Sequence, residues 1–161
     1  MNPRILFGLS ALLSLLGSIV FAVYFLWPRL RMEERQNAIR LLVAPHMFFR
    51  FVGLSFLVPG VVSASLPAAF AIPAAYGDLA AGILAIIAGI ALSKHASWAV
   101  AAVWIFNVWG AADLLFAFYQ GPKLQIEPGE FGAAFFIPTA LVPPLLVTHA
   151  LIFNLLVRRK S

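Results

Sequence analysis

The chain of 161 residues is 63% hydrophobic and only 11% charged, with a mean hydropathy of +0.98 and a formal charge of +5. An ordinary soluble domain carries roughly 25% charged residues, so this composition excludes one and predicts an integral membrane protein with room for a single bundle. The basic excess does not predict nucleic-acid binding, which needs a basic patch on a folded surface, and the absence of cysteine excludes disulfides, thiolate metal sites and cysteine nucleophiles.

Five apolar runs are long enough to cross a bilayer, which takes roughly 20 helical residues. They lie at about 5–27, 41–66, 74–93, 97–119 and 133–157, and the expected fold is an all-α bundle of five transmembrane helices in one domain. The first run follows Arg4 and is too long for a signal sequence; "WPRLRMEER" follows it where a small-residue cleavage site would be expected. It is expected to be a retained anchor. The connector 28–40 mixes both charges and is expected to be a short helix on the cytoplasmic surface.

Basic residues set the expected orientation. If 28–40 is cytoplasmic, that side receives Arg29, Arg31, Arg35, Arg40, Lys94, Arg158, Arg159 and Lys160, and the other receives Arg4 and Lys123 with Glu127 and Glu130 in the external loop 120–132. The N-terminus is therefore expected outside and the C-terminus inside. Trp27 and Trp98, at helix ends, fit an aromatic belt.

In the second run, "HMFFRFVGLSF" sets Arg50 among aromatic and aliphatic residues, although a guanidinium keeps its charge in any protein environment. Helical spacing puts His46, Arg50, Gly53, Leu57 and Gly60 on one stripe, and glycines let a neighbouring membrane helix approach. Pro59 is expected to free the carbonyl of Ser55. The third run carries Asp78 at the head of a small-residue seam with Gly82, Ala85 and Gly89, and the fourth carries Asn107 and Asp113 around Gly110. In the fifth, Pro138 frees the carbonyl of Ala134, while Pro143 and Pro144 free those of Thr139 and Ala140. Such broken backbone persists at membrane depth only where protein or water satisfies it.

Counting from each run's midpoint places Arg50 about 5 Å to the cytoplasmic side, Asn107 near the centre, and Asp78 and Asp113 about 8 Å toward the outside. His46 and His149 fall in the cytoplasmic half. Arg50 is expected to turn outward to Asp78 or Asp113 as a carboxylate pair, with Asn107 and Thr139 in the same network. The alternative is snorkelling to cytoplasmic headgroups, a climb of about 13 Å if the helix begins at Leu41. One cation and two carboxylates leave a negative excess. Either one carboxyl carries a proton, or a cationic or hydrogen-bonding ligand completes the site; a structural network that only fixes helix register is the plain alternative.

His46 and His149 form a possible second polar cluster, and imidazoles on different helices also permit a b-type haem. No phosphate-binding glycine loop, zinc-protease helix or serine elbow occurs in the sequence, which argues against a hydrolase, and no metal site is expected.

The stretches "LPAAFAIPAAYGD", "FNVWGAAD" and "IPTALVPPLLVTH" resemble a recurring pattern in small uncharacterised bacterial membrane proteins. The resemblance covers roughly 46–153 and takes in Arg50, Asp78, Asn107, Asp113 and His149. It implies a bacterial cytoplasmic membrane and supplies no activity. The glycine-flanked arginine helix and the later acidic helix also resemble, at the level of the fold, the small DoxX-type bundles. Four tryptophans without dense aromatic signatures argue against the tryptophan-rich TspO proteins. The leading functional expectation is binding or permeation of a small molecule, lipid or proton at a polar site in the outer half of the bundle. Its rivals are a scaffold or accessory subunit of a membrane complex and, third, a haem- or quinone-binding redox protein.

Overall fold

The computed structural model describes residues 2–158 and is helical throughout, with no strand among the described residues. Five helices are long and apolar enough to cross a membrane: α1 (Pro3–Leu30), α2 (Arg35–Leu57), α3 (Ala68–Ser93), α4 (Ala99–Lys123) and α5 (Ile137–Val157). Arg159 and Lys160, which enter the charge count, lie outside the described residues.

Proline sets the local geometry of these helices. Asn2 caps α1 through its side chain and Pro3 occupies the first turn, where its missing amide costs nothing. A proline ring inside a helix clashes with the carbonyl four residues earlier. The chain relieves this clash with widened turns at Ala22–Leu26, just before Pro28, and at Ile137–Leu141, just before Pro143 and Pro144. Pro73 is handled differently. It sits inside α3, and the carbonyl of Ala69 that it frees accepts a hydrogen bond from Gln120 Nε2 of α4 at 3.3 Å. That partner allows α3 to start at Ala68 rather than near residue 74.

The largest departure from the sequence expectation is α2. Its first turns come from the expected connector, because Ala38, Ile39, Leu42 and Val43 form a buried apolar face. Arg35 then clips this end to α5 by donating from Nη2 to the carbonyl of Leu156 at 2.6 Å. At the other end, α2 tightens into a 3₁₀ turn at Arg50–Leu57 and stops. Val58 is extended, as a residue before proline must be, and Gly60 takes φ +84°. Residues 58–67 are consequently a loop, and the carbonyl of Ser55 is taken by the amide of Val58 at 3.1 Å. α4 runs four residues past its expected end at 119, and α5 begins at Ile137 after a separate 3₁₀ segment, Pro128–Phe135.

Contacts at both ends hold the five helices in alternating directions. At the end carrying the N-terminus, Arg4 pairs with Glu127; at the opposite end, Gln36 bonds His95 at 3.0 Å and Arg158 lies over the Trp27 ring. The buried apolar residues form two clusters, one built on Leu42, Leu92, Val103 and Ile152, the other on Phe56, Phe70, Leu114 and Phe131. On each of α2 to α5 the buried polar residues lie between these two sets, except Thr139, which falls within the second. α1 stands outside most of this core, with only Ala22 and Leu30 of its apolar side chains buried.

The Pro128–Phe135 segment docks on the 58–67 loop through the amide of Ala133 to the carbonyl of Val61 at 2.8 Å and the amide of Ser63 to the carbonyl of Glu130 at 3.0 Å. Gly132 makes this possible with φ 52° and ψ −129°, a conformation open essentially to glycine, and a Cβ there would meet the carbonyl of Val61. Gly132→Ala is expected to cost about 1–3 kcal/mol. Thermal melting of the detergent-solubilised chain by circular dichroism measures it, and an unchanged midpoint would count against the strain.

Candidate functional site

The redrawn limits of α2 change the depth of Arg50. The midpoint of Arg35–Leu57 is residue 46, so Arg50 lies about 6 Å toward the N-terminal end of the bundle, not on the opposite side of the centre. It is thereby nearly level with Asp78 of α3 and Asp113 of α4. Its side chain is wholly buried, and the snorkelling geometry does not occur. Nη1 donates to Asp78 Oδ1 at 2.5 Å and to Asp113 Oδ2 at 3.0 Å, while Nη2 donates to the carbonyl of Gly110 at 2.5 Å.

Nη2 also reaches His149 Nε2 of α5 at 3.2 Å. A guanidinium only donates, so this nitrogen of His149 is the acceptor and the ring proton sits on Nδ1. Asn107 is placed to match: its Oδ1 accepts from His149 Nδ1 at 2.7 Å, and its Nδ2 donates to the His149 carbonyl at 3.2 Å. His46 continues the chain of polar groups. The Thr148 hydroxyl donates to the carbonyl of Leu145 at 2.8 Å, so its oxygen accepts from His46 Nε2 at 2.8 Å. The two imidazoles touch, with centroids 4.3 Å apart. His46 and His149 are therefore part of one cluster with Arg50, not a second one.

Thr139 is not brought into this cluster. It is buried in the widened turn of α5 and donates to the carbonyl of Phe135 at 2.7 Å, a local bond to the end of the preceding 3₁₀ segment. The histidine pair does not fit haem either. The rings are in contact, and three of their four nitrogens are taken by Thr148, Arg50 and Asn107, so two free axial nitrogens facing one iron are not available. No group of three or more metal-ligating side chains occurs among the described residues.

Three glycines make the cluster possible. A Cβ on Gly53 would strike the Asp78 carboxylate, one on Gly77 would strike that of Asp113, and one on Gly110 would sit 2.6 Å from His149 Cε1 and 2.9 Å from Arg50 Nη2. Gly77 and Thr148 are the site residues that the sequence reading missed. Gly77 stands next to Asp78 in "YGD", but the helical stripe that gave Asp78 its face leaves Gly77 off it.

A cavity of about 460 Å³ opens beside these carboxylates, within the roughly 300–1,000 Å³ of small-molecule sites. Exposed Arg4 and Gln125 line its rim, its walls carry Phe7, Phe56, Phe70, Phe118, Phe131 and buried Pro128, and Asp78 and Asp113 lie at its inner end. The side-chain hydrogen bond from Arg4 holds Glu127, in the loop outside the spanning helices, below the usual carboxylate range. At the inner end the guanidinium has no exposure, whereas the Asp78 and Asp113 side chains keep 9% and 12% of theirs. The cavity is therefore lined by both aspartates and not by the arginine that pairs with them.

Five helices long and apolar enough to cross a membrane, around a buried arginine–carboxylate cluster, make this a small α-helical bundle with an aromatic-walled cavity. The chain belongs to a family described as a domain of unknown function, DUF8737, which matches residues 6–157 and so takes in the whole cluster. No curated protein and no solved structure matches the chain.

Removing the cation and removing one anion have different expected costs. Arg50→Leu leaves two buried carboxylates without their partner and is expected to destabilise by about 3–5 kcal/mol. Asp113→Asn keeps the pair with Asp78 and removes the excess charge, at a cost of about 1.5 kcal/mol or less. Thermal denaturation in detergent ranks the two, and the reverse order would contradict the charge distribution described here. Gly77→Ala, which pushes a methyl into the Asp113 carboxylate, is expected to cost about 1–3 kcal/mol by overpacking in the same measurement.

Proposed function

We propose that the protein spans a bacterial cytoplasmic membrane, with its N-terminus outside and its C-terminus inside, and binds a small molecule in the cavity that ends on Asp78 and Asp113. The orientation is supported by the basic residues, which crowd the loops at the C-terminal end of the bundle. The membrane is supported by the apolar, exposed flank of α1 and, for its bacterial origin, by the resemblance of residues 46–153 to small bacterial membrane proteins. In that orientation the mouth opens outward, and the site serves binding or permeation of a small molecule or of a lipid whose chain enters it. No catalysis is part of this proposal.

The observation that carries it is the pair of partly exposed carboxylates at the end of a cavity large enough for a ligand. A closed structural lock has no need of that space. The scaffold reading draws support from a different fact: among the described residues, the only buried side-chain atoms of the cluster without a partner are Arg50 Nε and His46 Nδ1, so the network is nearly complete by itself. A quinone gains least support, since its carbonyl acceptors would meet a floor made of acceptors.

The test fills the cavity without touching the charges. Ala117 lines the cavity wall, and Ala117→Trp blocks it. The full chain and this variant are purified in mild detergent, and their bound small molecules are extracted and compared by mass spectrometry. The binding reading expects a molecule retained by the natural sequence and depleted about tenfold or more in the variant, at an unchanged melting temperature. Equal small-molecule content in both would leave the scaffold reading.

A further inference from the structure

We infer that the cavity takes an organic monocation, an apolar body bearing one protonated amine or quaternary ammonium, and that this cation and a single proton occupy the same charge deficit in turn. The inference rests on the cavity being a binding site and names the class of its ligand.

Charge counting on named atoms comes first. Arg50 contributes one positive charge that it cannot lose, and Asp78 and Asp113 contribute two carboxylates. His149 adds no charge while its Nε2 accepts from Arg50. The floor therefore lacks one positive charge, and an uncompensated charge held away from water is costly. Accessibility then decides the sign of the ligand. The guanidinium of Arg50 is wholly covered and both aspartate side chains are not, so an anion that reaches the inner end of the cavity meets only like charge. Each carboxylate accepts one hydrogen bond, from Nη1, among the described residues, although an ionised carboxylate has about four lone-pair sites. Each carboxylate therefore keeps acceptor capacity beyond its bond to Arg50, and both aspartates line the cavity while Arg50 does not.

The walls agree with the floor. Phe56, Phe70 and Phe131 pack edge to face around the cavity, and aromatic faces attract ammonium groups, more strongly where water is excluded. The mouth carries one ion pair, Arg4 with Glu127, which leaves the net field of the cavity to its inner end.

The same deficit accepts a proton. The charged or titratable groups around Asp113 are Arg50 from α2 and Asp78 from α3, with His149 from α5 behind Arg50 and the Arg4–Glu127 pair at the mouth. Arg50 is already shared between the two carboxylates. A proton on either carboxyl removes the excess that a cation needs, so protonation and cation binding exclude each other.

The probe is benzyltrimethylammonium, which cannot lose its charge, against neopentylbenzene, the same shape with carbon in place of nitrogen. Both are titrated calorimetrically into the full-length protein in detergent, with Ala117→Trp as the background. At about pH 8 the cation is expected to bind about tenfold or more tightly than its neutral isostere. Its affinity is expected to fall, by up to about tenfold per pH unit, as the pH drops toward about 5, the signature of one competing proton. Asp113→Asn is expected to keep the isostere and lose both the preference and the pH dependence. If the isostere binds at least as tightly as the cation, the ligand class is wrong while the cavity reading stands. If neither probe distinguishes the natural sequence from Ala117→Trp, the cavity reading itself fails. A cation preference that survives Asp113→Asn, or that is flat with pH, overturns the shared charge slot.

Discussion

A guanidinium inside an apolar bundle is tolerated only where its donors find acceptors, because the charge cannot be shed and lipid offers nothing to bond. In this chain Arg50 meets that demand through three other helices at once: Asp78 on α3, Asp113 and the Gly110 carbonyl on α4, and His149 on α5. Sliding any one of these helices by a turn would strip a bond from the cation. The register of four helices is thus tied to a single side chain. Glycines at 53, 77 and 110 follow from the same demand, since each removes the Cβ that would occupy the space of a carboxylate or of the imidazole.

The apolar architecture is organised around that tie. Packing in membranes gains little from burying one hydrocarbon against another in place of lipid, and relies on close contact through small residues. α3 supplies these with Ala81, Gly82, Ala85, Ala88 and Gly89 facing α2 and its neighbours. The two buried apolar clusters lie to either side of the polar layer, so the layer is sealed by well-packed side chains toward the C-terminal end. Toward the N-terminal end, phenylalanines in edge-to-face contact wall the cavity instead. The cavity meets the polar layer from that side, and a shallower groove between α3 and α4 also reaches Asp113.

How far this was legible in the sequence depends on what each signal measures. Hydropathy counts residues that lipid tolerates, and five such runs are present, so the number of helices could be read directly. It does not register where an apolar stretch turns: "FLVPGVVSASLP" is apolar enough to extend α2 to residue 66, yet Pro59 and Gly60 end the helix at Leu57. Misjudging both ends of α2 moved its midpoint, and with it the depth of Arg50. The inward direction of Arg50, Asp78, Asn107 and Asp113 was readable because glycine-rich stripes mark an interface whatever the boundaries. Thr139 misled for a definite reason: a proline does free a carbonyl, but a widened turn rearranges the local bonds, and its hydroxyl bonds four residues back to the carbonyl of Phe135. Contacts between non-stripe residues, such as Gly77 against Asp113, depend on helix rotation and crossing, which no single helix encodes.

The number of carboxylates distinguishes a lock from a site. Holding Arg50 and fixing four helices needs one anion, since a single Arg–Asp pair with the Gly110 carbonyl and His149 already engages both terminal nitrogens. A second carboxylate brings a further desolvation cost, several kcal/mol for a buried ion, and repels the first. A structure under selection for stability alone loses little by replacing it with an amide, which would accept the same hydrogen bond without the charge. The second carboxylate is instead placed where both anions border a cavity, and the cation that binds them is kept out of it. That asymmetry has no structural benefit of its own, and it is the feature on which the proposed binding of positive charge rests.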